Sequence, residues 1–335
     1  MNPPRIRTPP PVEFTDMTVG LVVFGALTVV FGALLLLLSP LIVLAAKPAA
    51  AAAGVPVRWG ETITNALGFA GIGATLVAAG AGSIRRRRWA RTLLGILSWS
   101  AFLVAVLFFG LGFVFLKDIA ESIAANLSNG QNQRLAGVMV HVQLFRAFLF
   151  VAPITLSLPG LWVWFYSMRS VRLTCEAHDS NPGWTEQVPP LVLAVSLGLA
   201  LSAPMVLISA FTHHGYMPFF GTQLTGFAGG LAAVVLAGLW GYAAWATYEL
   251  KPSGWWIATI SMLLVLFSAW LTWVRGDLGA LLIASGLPEA QVHKLQPMLE
   301  TFRPMILWGT LLFHVPIFGT MLAIWRHFRP ASADA

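Results

Sequence analysis

Only 10% of this chain's 335 residues are charged and 57% are hydrophobic, which excludes an ordinary soluble domain, where about 25% charge is usual. Its mean hydropathy of +0.77 and recurrent apolar runs of about 18 residues or more describe a chain threaded repeatedly through a hydrocarbon layer about 30 Å thick. The net charge of +7 does not point to nucleic acid, because helical membrane proteins gather Lys and Arg in the loops of one side, and no basic and aromatic surface is interleaved outside the apolar runs.

The proline-rich opening, residues 1–17, predicts a disordered cytoplasmic tail. Eight transmembrane spans follow: Thr18–Ala46, Glu61–Ile84, Ala90–Leu116, Phe145–Met168, Pro190–Phe211, Leu224–Tyr248, Trp255–Trp273 and Pro304–Trp325. The first is too long for a signal-peptide core, and Ser39-Pro40 marks a place where it can bend. Between spans four and five, residues 173–189 read as a cytoplasmic linker loop; residues 330–335 read as a C-terminal tail.

The phrase GFAGIGATLVAAG begins at Gly68, and a near copy, GFAGGLAAVVLAG, begins at Gly226. The likeness recurs in order at nearly constant offset: Thr64-Asn65 with Thr222-Gln223, Asp118 with Asp277, Phe145-Arg146 with Phe302-Arg303, and Ser157-Leu158-Pro159 with His314-Val315-Pro316. Such a series predicts a tandem duplication, with four spans in 18–172 and four in 190–329. Four is even, so both copies enter from the same side. The expected fold is an all-α polytopic membrane protein: two parallel four-helix repeats, with short amphipathic extracytoplasmic helices.

Within the repeated phrase, Gly71, Thr75, Ala79 and Ser83 recur every fourth residue, as do Gly229, Ala233, Ala237 and Gly241. Small residues on one helical face let backbones approach in lipid, so spans two and six are expected to be the tightly packed inner helices, facing each other across the pseudo-axis. The stretches from Asp118 to Gln143 and from Asp277 to Thr301 are too polar to span; each predicts a capping hairpin of two short amphipathic helices.

Twelve of the 20 Lys and Arg residues fall on the side of the termini, with Arg85, Arg86, Arg87, Arg88 and Arg91 packed into one short loop. That block reads as a topology determinant or a contact for lipid headgroups, and it puts both termini in the cytoplasm of a cell membrane, a bacterial inner membrane by composition. Trp89, Trp184, Trp255 and Trp256 lie near span boundaries, as interfacial aromatics do.

Chemistry-bearing residues are sparse. No Asp or Glu falls near the middle of a span. His314 is the one ionisable group deep in the membrane, and Ser157, its counterpart, supports a role in hydrogen bonding between helices. Arg146 and Arg303 open helices, where the macrodipole disfavours a cation; Asp118 and Asp277 are the expected salt-bridge partners. Cys175, Glu176, His178 and Asp179 are consecutive in a polar loop and do not form a nucleophile–base pair by spacing. A single cysteine allows no intrachain disulfide, His213-His214 lacks ligand spacing, and no catalytic residues, cofactor or metal are expected.

The reading that follows is a non-catalytic subunit or scaffold of a membrane or envelope complex, whose partners are the lipid bilayer and other membrane proteins. The alternative is a permease for a small, weakly polar or lipid-like substrate, with Thr64, Asn65, Thr222, Gln223 and His314 along a path between the repeats.

Overall fold

The computed structural model describes residues 15–53, 57–127, 133–284 and 289–328. Residues 1–14 of the expected N-terminal tail, the expected C-terminal tail, and residues 128–132 and 285–288 within the expected outer hairpins lie outside them. Long apolar runs fold into helices that stay continuous through internal prolines such as Pro40 and Pro153, and the polar α4 lies among them: α1 (Thr18–Ala53), α2 (Trp59–Ile84), α3 (Arg88–Val114), α4 (Leu116–Leu127) and α5 (Gln133–Ser167). After α6 (Arg169–His178) and a 3₁₀ turn (Trp184–Glu186) come α7 (Pro190–Thr212), the strands β1 (Met217–Phe219) and β2 (Thr222–Leu224), α8 (Gly226–Tyr248), α9 (Pro252–Arg275), α10 (Leu278–Ala284) and α11 (Glu289–Ile324). A second 3₁₀ turn (Trp325–His327) follows α11. Eight of these helices, α1, α2, α3, α5, α7, α8, α9 and α11, are long and apolar enough to cross a membrane. Large apolar side chains cover the outside, such as Phe227 (87% exposed) and Phe211 (79%), a surface suited to lipid rather than water.

Two turns are built alike. α2 ends with Arg86 in the left-handed region (φ 59°), where the Arg87 amide donates to the Gly82 carbonyl at 2.9 Å. α8 ends with Leu250 in the same region (φ 56°), where the Lys251 amide donates to the Ala246 carbonyl at 2.8 Å. Both are Schellman closures in which a non-glycine residue takes the strained position. Each sends the chain straight into the next long helix.

The most extensive packing joins α1 to α2, and it runs through glycines that the four-residue stripe does not contain. A Cβ added at Gly25 would meet the Gly80 carbonyl oxygen at 2.8 Å, and one at Gly32 would meet that of Gly73 at 2.7 Å. The two backbones are therefore in direct contact, antiparallel, and Ser39 extends the seam by donating its hydroxyl to the Ala66 carbonyl at 2.8 Å. Gly25, Gly32 and Ser39 are seven apart, as are Ala66, Gly73 and Gly80; a seven-residue repeat keeps one seam facing its partner.

This corrects the expected role of the stripe. Gly71 and Thr75 are exposed, Ala79 and Ser83 are buried, and a Cβ on Gly71 would meet nothing. α2 presents its packing face to α1, not to α8. α8 packs on α7, where Ser196 donates to the Ala244 carbonyl at 2.8 Å, with Ala203, Ala233 and Ala237 buried. Gly229 serves a different purpose, packing backbone to backbone against Gly215 of the preceding loop, and Gly241 is exposed.

Three further departures have local causes. The outer segments are not separate helical hairpins, because α5 and α11 run continuously from Gln133 and Glu289 into their spans; no turn separates the amphipathic stretch from the apolar one. The linker region is not a loop throughout, since α6 and a 3₁₀ turn occupy much of it. The fold is all-α in class, as expected, with one short hairpin added: β1 and β2 pair antiparallel, Pro218 opposite Gln223, around a two-residue turn with Phe220 and Gly221 both at positive φ. Ser268 and Thr272 of α9 hold that turn by accepting from the Phe220 and Gly221 amides at 2.9 and 3.1 Å.

Candidate functional site

At one end of the bundle, the arginine block meets the acidic residues of α6 and the 3₁₀ turn. Arg88 reaches Glu186 at 3.3 Å and Glu176 at 3.6 Å, while Arg87 reaches Asp179 at 3.4 Å. The Asp179 carboxylate also accepts from the Arg88 amide at 3.3 Å, at the amino end of α3, where the helix dipole favours an anion. Arg91 lies within electrostatic reach of Cys175, Glu186 and Glu176. Arg85, by contrast, is exposed. The block is thus divided: part of it clamps the linker segment onto α3, and only the remainder faces outward.

Charge and burial set the chemistry of this clamp. The hydrogen bond from Arg172, 2.7 Å away, holds the Glu176 carboxyl below its ordinary 4.5. A depressed carboxylate stabilises the fold above its ordinary range, and that contribution is lost as pH falls through the lowered pKa. Cys175 is buried, and burial pushes its thiol up to about 11. A thiol so protonated at neutral pH is a poor nucleophile. His178 takes a hydrogen bond to its own helix, Nδ1 to the Thr174 carbonyl at 2.9 Å, so this consecutive quartet is a structural corner.

Deeper in, α1 and α5 meet through rings. Phe24 stacks on Phe165 with centroids 4.1 Å apart, and Trp162 crosses Phe24 edge-on at 5.0 Å. Ser83 donates to the Leu21 carbonyl at 3.1 Å, which leaves the Tyr166 hydroxyl to donate to Ser83 Oγ at 2.9 Å. Trp162 Nε1 donates to Thr28 Oγ1 at 2.9 Å. Just beyond these contacts, a cavity of about 490 Å³ opens between α1, α2, α3 and α5. A second, of about 460 Å³, lies between α7, α8, α9 and β1, lined in part by Ser202, Ser209 and Tyr216. Burial raises the Tyr216 phenol above its ordinary value.

At the opposite end, Glu61 of α2 accepts from Arg58 at 2.7 Å and faces His213 Nε2 at 3.1 Å. Gly60 touches Thr212 beside them, so these contacts tie the first half of the chain to the second. A groove of about 630 Å³ runs between α4 and α5, lined by Lys117, Glu121, Val138, His141 and their neighbours.

The remaining expected site residues stay apart. His314 Nδ1–H donates to the Thr310 carbonyl of its own helix at 2.7 Å, and Ser157 likewise to Ile154 at 3.1 Å. Neither bond crosses between helices. Thr64 bonds back to Gly60 at 2.9 Å and Asn65 is exposed, whereas Thr222 and Gln223 are strand residues of the hairpin. None of these six lines any of the three cavities above. Asp277 caps α10, accepting from the Gly279 amide at 2.8 Å, while Arg303 pairs with Glu300 at 2.8 Å and lies 3.4 Å from the Val274 and Gly276 carbonyls. Arg303 thus reaches the backbone beside Asp277 rather than its carboxylate. Asp118 and Arg146 are both exposed, and among the described residues no ion pair joins them. No three His, Cys, Asp or Glu side chains among the described residues converge as metal ligands would.

Fold and site together define a class, the multi-pass helical membrane protein, with eight apolar helices of spanning length among the described residues. Comparison with protein-family models, with curated proteins and with solved structures finds no match to this chain.

Proposed function

We propose that the protein is a non-catalytic subunit or scaffold of a membrane complex, which docks partners at the end remote from its termini. The observation that carries this reading is helix length. α5 and α11 have 35 and 36 residues, which at 1.5 Å per residue is about 52 and 54 Å, against a hydrocarbon core of about 30 Å. Each helix is therefore about 20 Å longer than the hydrocarbon core, and about 10 Å longer than the bilayer with its headgroup layers, with α4 and α10 packed beside the polar amino-terminal portions. Val138 and Met139 stand 62% exposed on that portion of α5, next to the groove beside α4.

In this reading the chain arose by tandem duplication of a four-span unit, inserted twice in the same orientation. The element order long, long, long, short, long occurs twice, in α1–α5 and in α7–α11, and the matched Schellman closures fall at the same place in each series. The arginine-rich end, with both termini, faces the cytoplasm of a cell membrane, as the charge bias favours. The partners are lipids and other membrane or envelope proteins, and no nucleic acid is involved.

The test is photocrosslinking in native membranes with a benzophenone amino acid at Val138 or Met139, and at Phe150 on the apolar part of α5 as control. The docking role predicts a discrete protein adduct from positions 138 and 139 and none from 150. Absence of adducts at 138 and 139, combined with solute flux by the purified protein in liposomes, would replace this reading with the permease.

A further inference from the structure

The cavity between α1, α2, α3 and α5 is shaped like a wedge. α1 and α2 are held by glycine contact, and α3 packs along α5. The two pairs are joined by the rings of Phe24, Phe165 and Trp162, with Phe31 6.1 Å from Trp162 as the last contact of the series. The cavity opens beside these last rings, at Thr28, Phe31 and Trp162, and continues along Leu34–Leu38 and Leu158-Pro159. Its floor is buried, with Leu94 1% and Ser98 7% exposed, while its rim is open, with Leu34 50% and Leu158 39% exposed. The mouth therefore faces sideways, toward whatever surrounds the helices.

Chemistry decides what can enter. The lining has few polar side chains, and each is already engaged: Thr28 donates to the Phe24 carbonyl at 2.7 Å and accepts from Trp162, and Ser98 donates to the Leu94 carbonyl at 2.6 Å. A water molecule needs two to four polar partners; it would find no free donor there, only spare acceptor lone pairs on the two separate hydroxyls of Thr28 and Ser98. A volume of about 490 Å³ holds roughly one turn of a helix 10–12 Å across, too little to seat a partner helix. It does fall in the range of roughly 300–1,000 Å³ occupied by small-molecule sites. The indole of Trp162 is fixed by a hydrogen bond and an edge-on ring, so the wall is formed before anything binds.

We propose that this wedge binds one hydrocarbon chain of a membrane phospholipid, which enters sideways from the bilayer and lies against Leu34, Leu97, Leu158 and Trp162. The site holds whether or not the far-end helices dock a partner. Purified full-length protein is reconstituted in vesicles containing a phosphatidylethanolamine with a diazirine in the middle of one acyl chain, irradiated, and mapped by peptide mass spectrometry. Adducts are expected to concentrate on the segments holding Leu34, Leu97 and Leu158 over Leu263 and Leu264, which face outward on α9. Ser98→Phe, which fills the floor, is expected to lower the wedge adducts by about tenfold, equal to about 1.4 kcal/mol, without changing those on α9. Should that variant fail to fold, Ala101→Phe at the wall makes the same test. Equal labelling of the wedge and α9, or labelling unchanged by the folded filling variant, would overturn the site.

Discussion

At the scale of single residues, glycines decide which faces pack, and two kinds of glycine on α2 make opposite predictions. Gly73 and Gly80 touch the backbone of α1, so any side chain there must push the helices apart. Gly68 and Gly71 face open space, where a methyl group meets nothing. Gly80→Val is expected to cost about 1–3 kcal/mol, the range for overpacking, and to lower the thermal unfolding midpoint in detergent. Gly71→Ala should leave stability unchanged or raise it by up to about 1 kcal/mol, because the methyl group meets nothing and alanine favours the helix. Similar losses from both variants would contradict the seven-residue seam. Spacing four made Gly71 and Ala79 conspicuous in the sequence, but spacing seven was equally present in Gly25, Gly32, Gly73 and Gly80. Both periods are compatible with one helix, and only the partner selects between them.

Among elements, α6 changes most from expectation. Its residues are polar enough to pass for a solvated loop, yet Val171, Thr174 and Cys175 are buried against neighbouring helices. Arg88 holds that packing by bridging Glu176 and Glu186. Burial pushes the Cys175 thiol up to about 11, so it is protonated at pH 7, and its burial blocks access as well. Arg88→Met should release α6 and raise the rate of maleimide labelling of Cys175 by about tenfold or more, a rise that reads the opening of a buried site. Arg85→Met should leave the rate near that of the parent protein. Equal rates in both variants and the parent would mean that the arginine does not hold the helix. No periodicity announces this clamp, because its acidic and basic partners lie some 90 residues apart, as in the pairing of Arg87 with Asp179 (|i−j| of 92).

For the whole molecule, the two halves meet at the far end through Gly60 and Thr212, with Glu61 facing His213 beside them. A Cβ on Gly60 would lie 3.1 Å from the Thr212 Cβ, close to the spacing of about 3.5–4.5 Å that a disulfide requires. In a Cys175→Ser background, the double variant Gly60→Cys with Thr212→Cys should oxidise readily. The bond would keep the two halves together on a denaturing gel after protease cleavage in the segment after His178, and two separate fragments under oxidising conditions would refute this placement. Residue order alone determined that the chain forms a series of helices long and apolar enough to cross a membrane, and that small residues mediate their packing. Those properties come from local hydropathy and from lipid's inability to hydrogen-bond the backbone. Only the tertiary structure decided which small residues touch, which arginines are spent on the linker, and where an apolar wedge is left open. Those outcomes depend on which surfaces meet across the bundle, and one-dimensional periodicity carries no record of the partner.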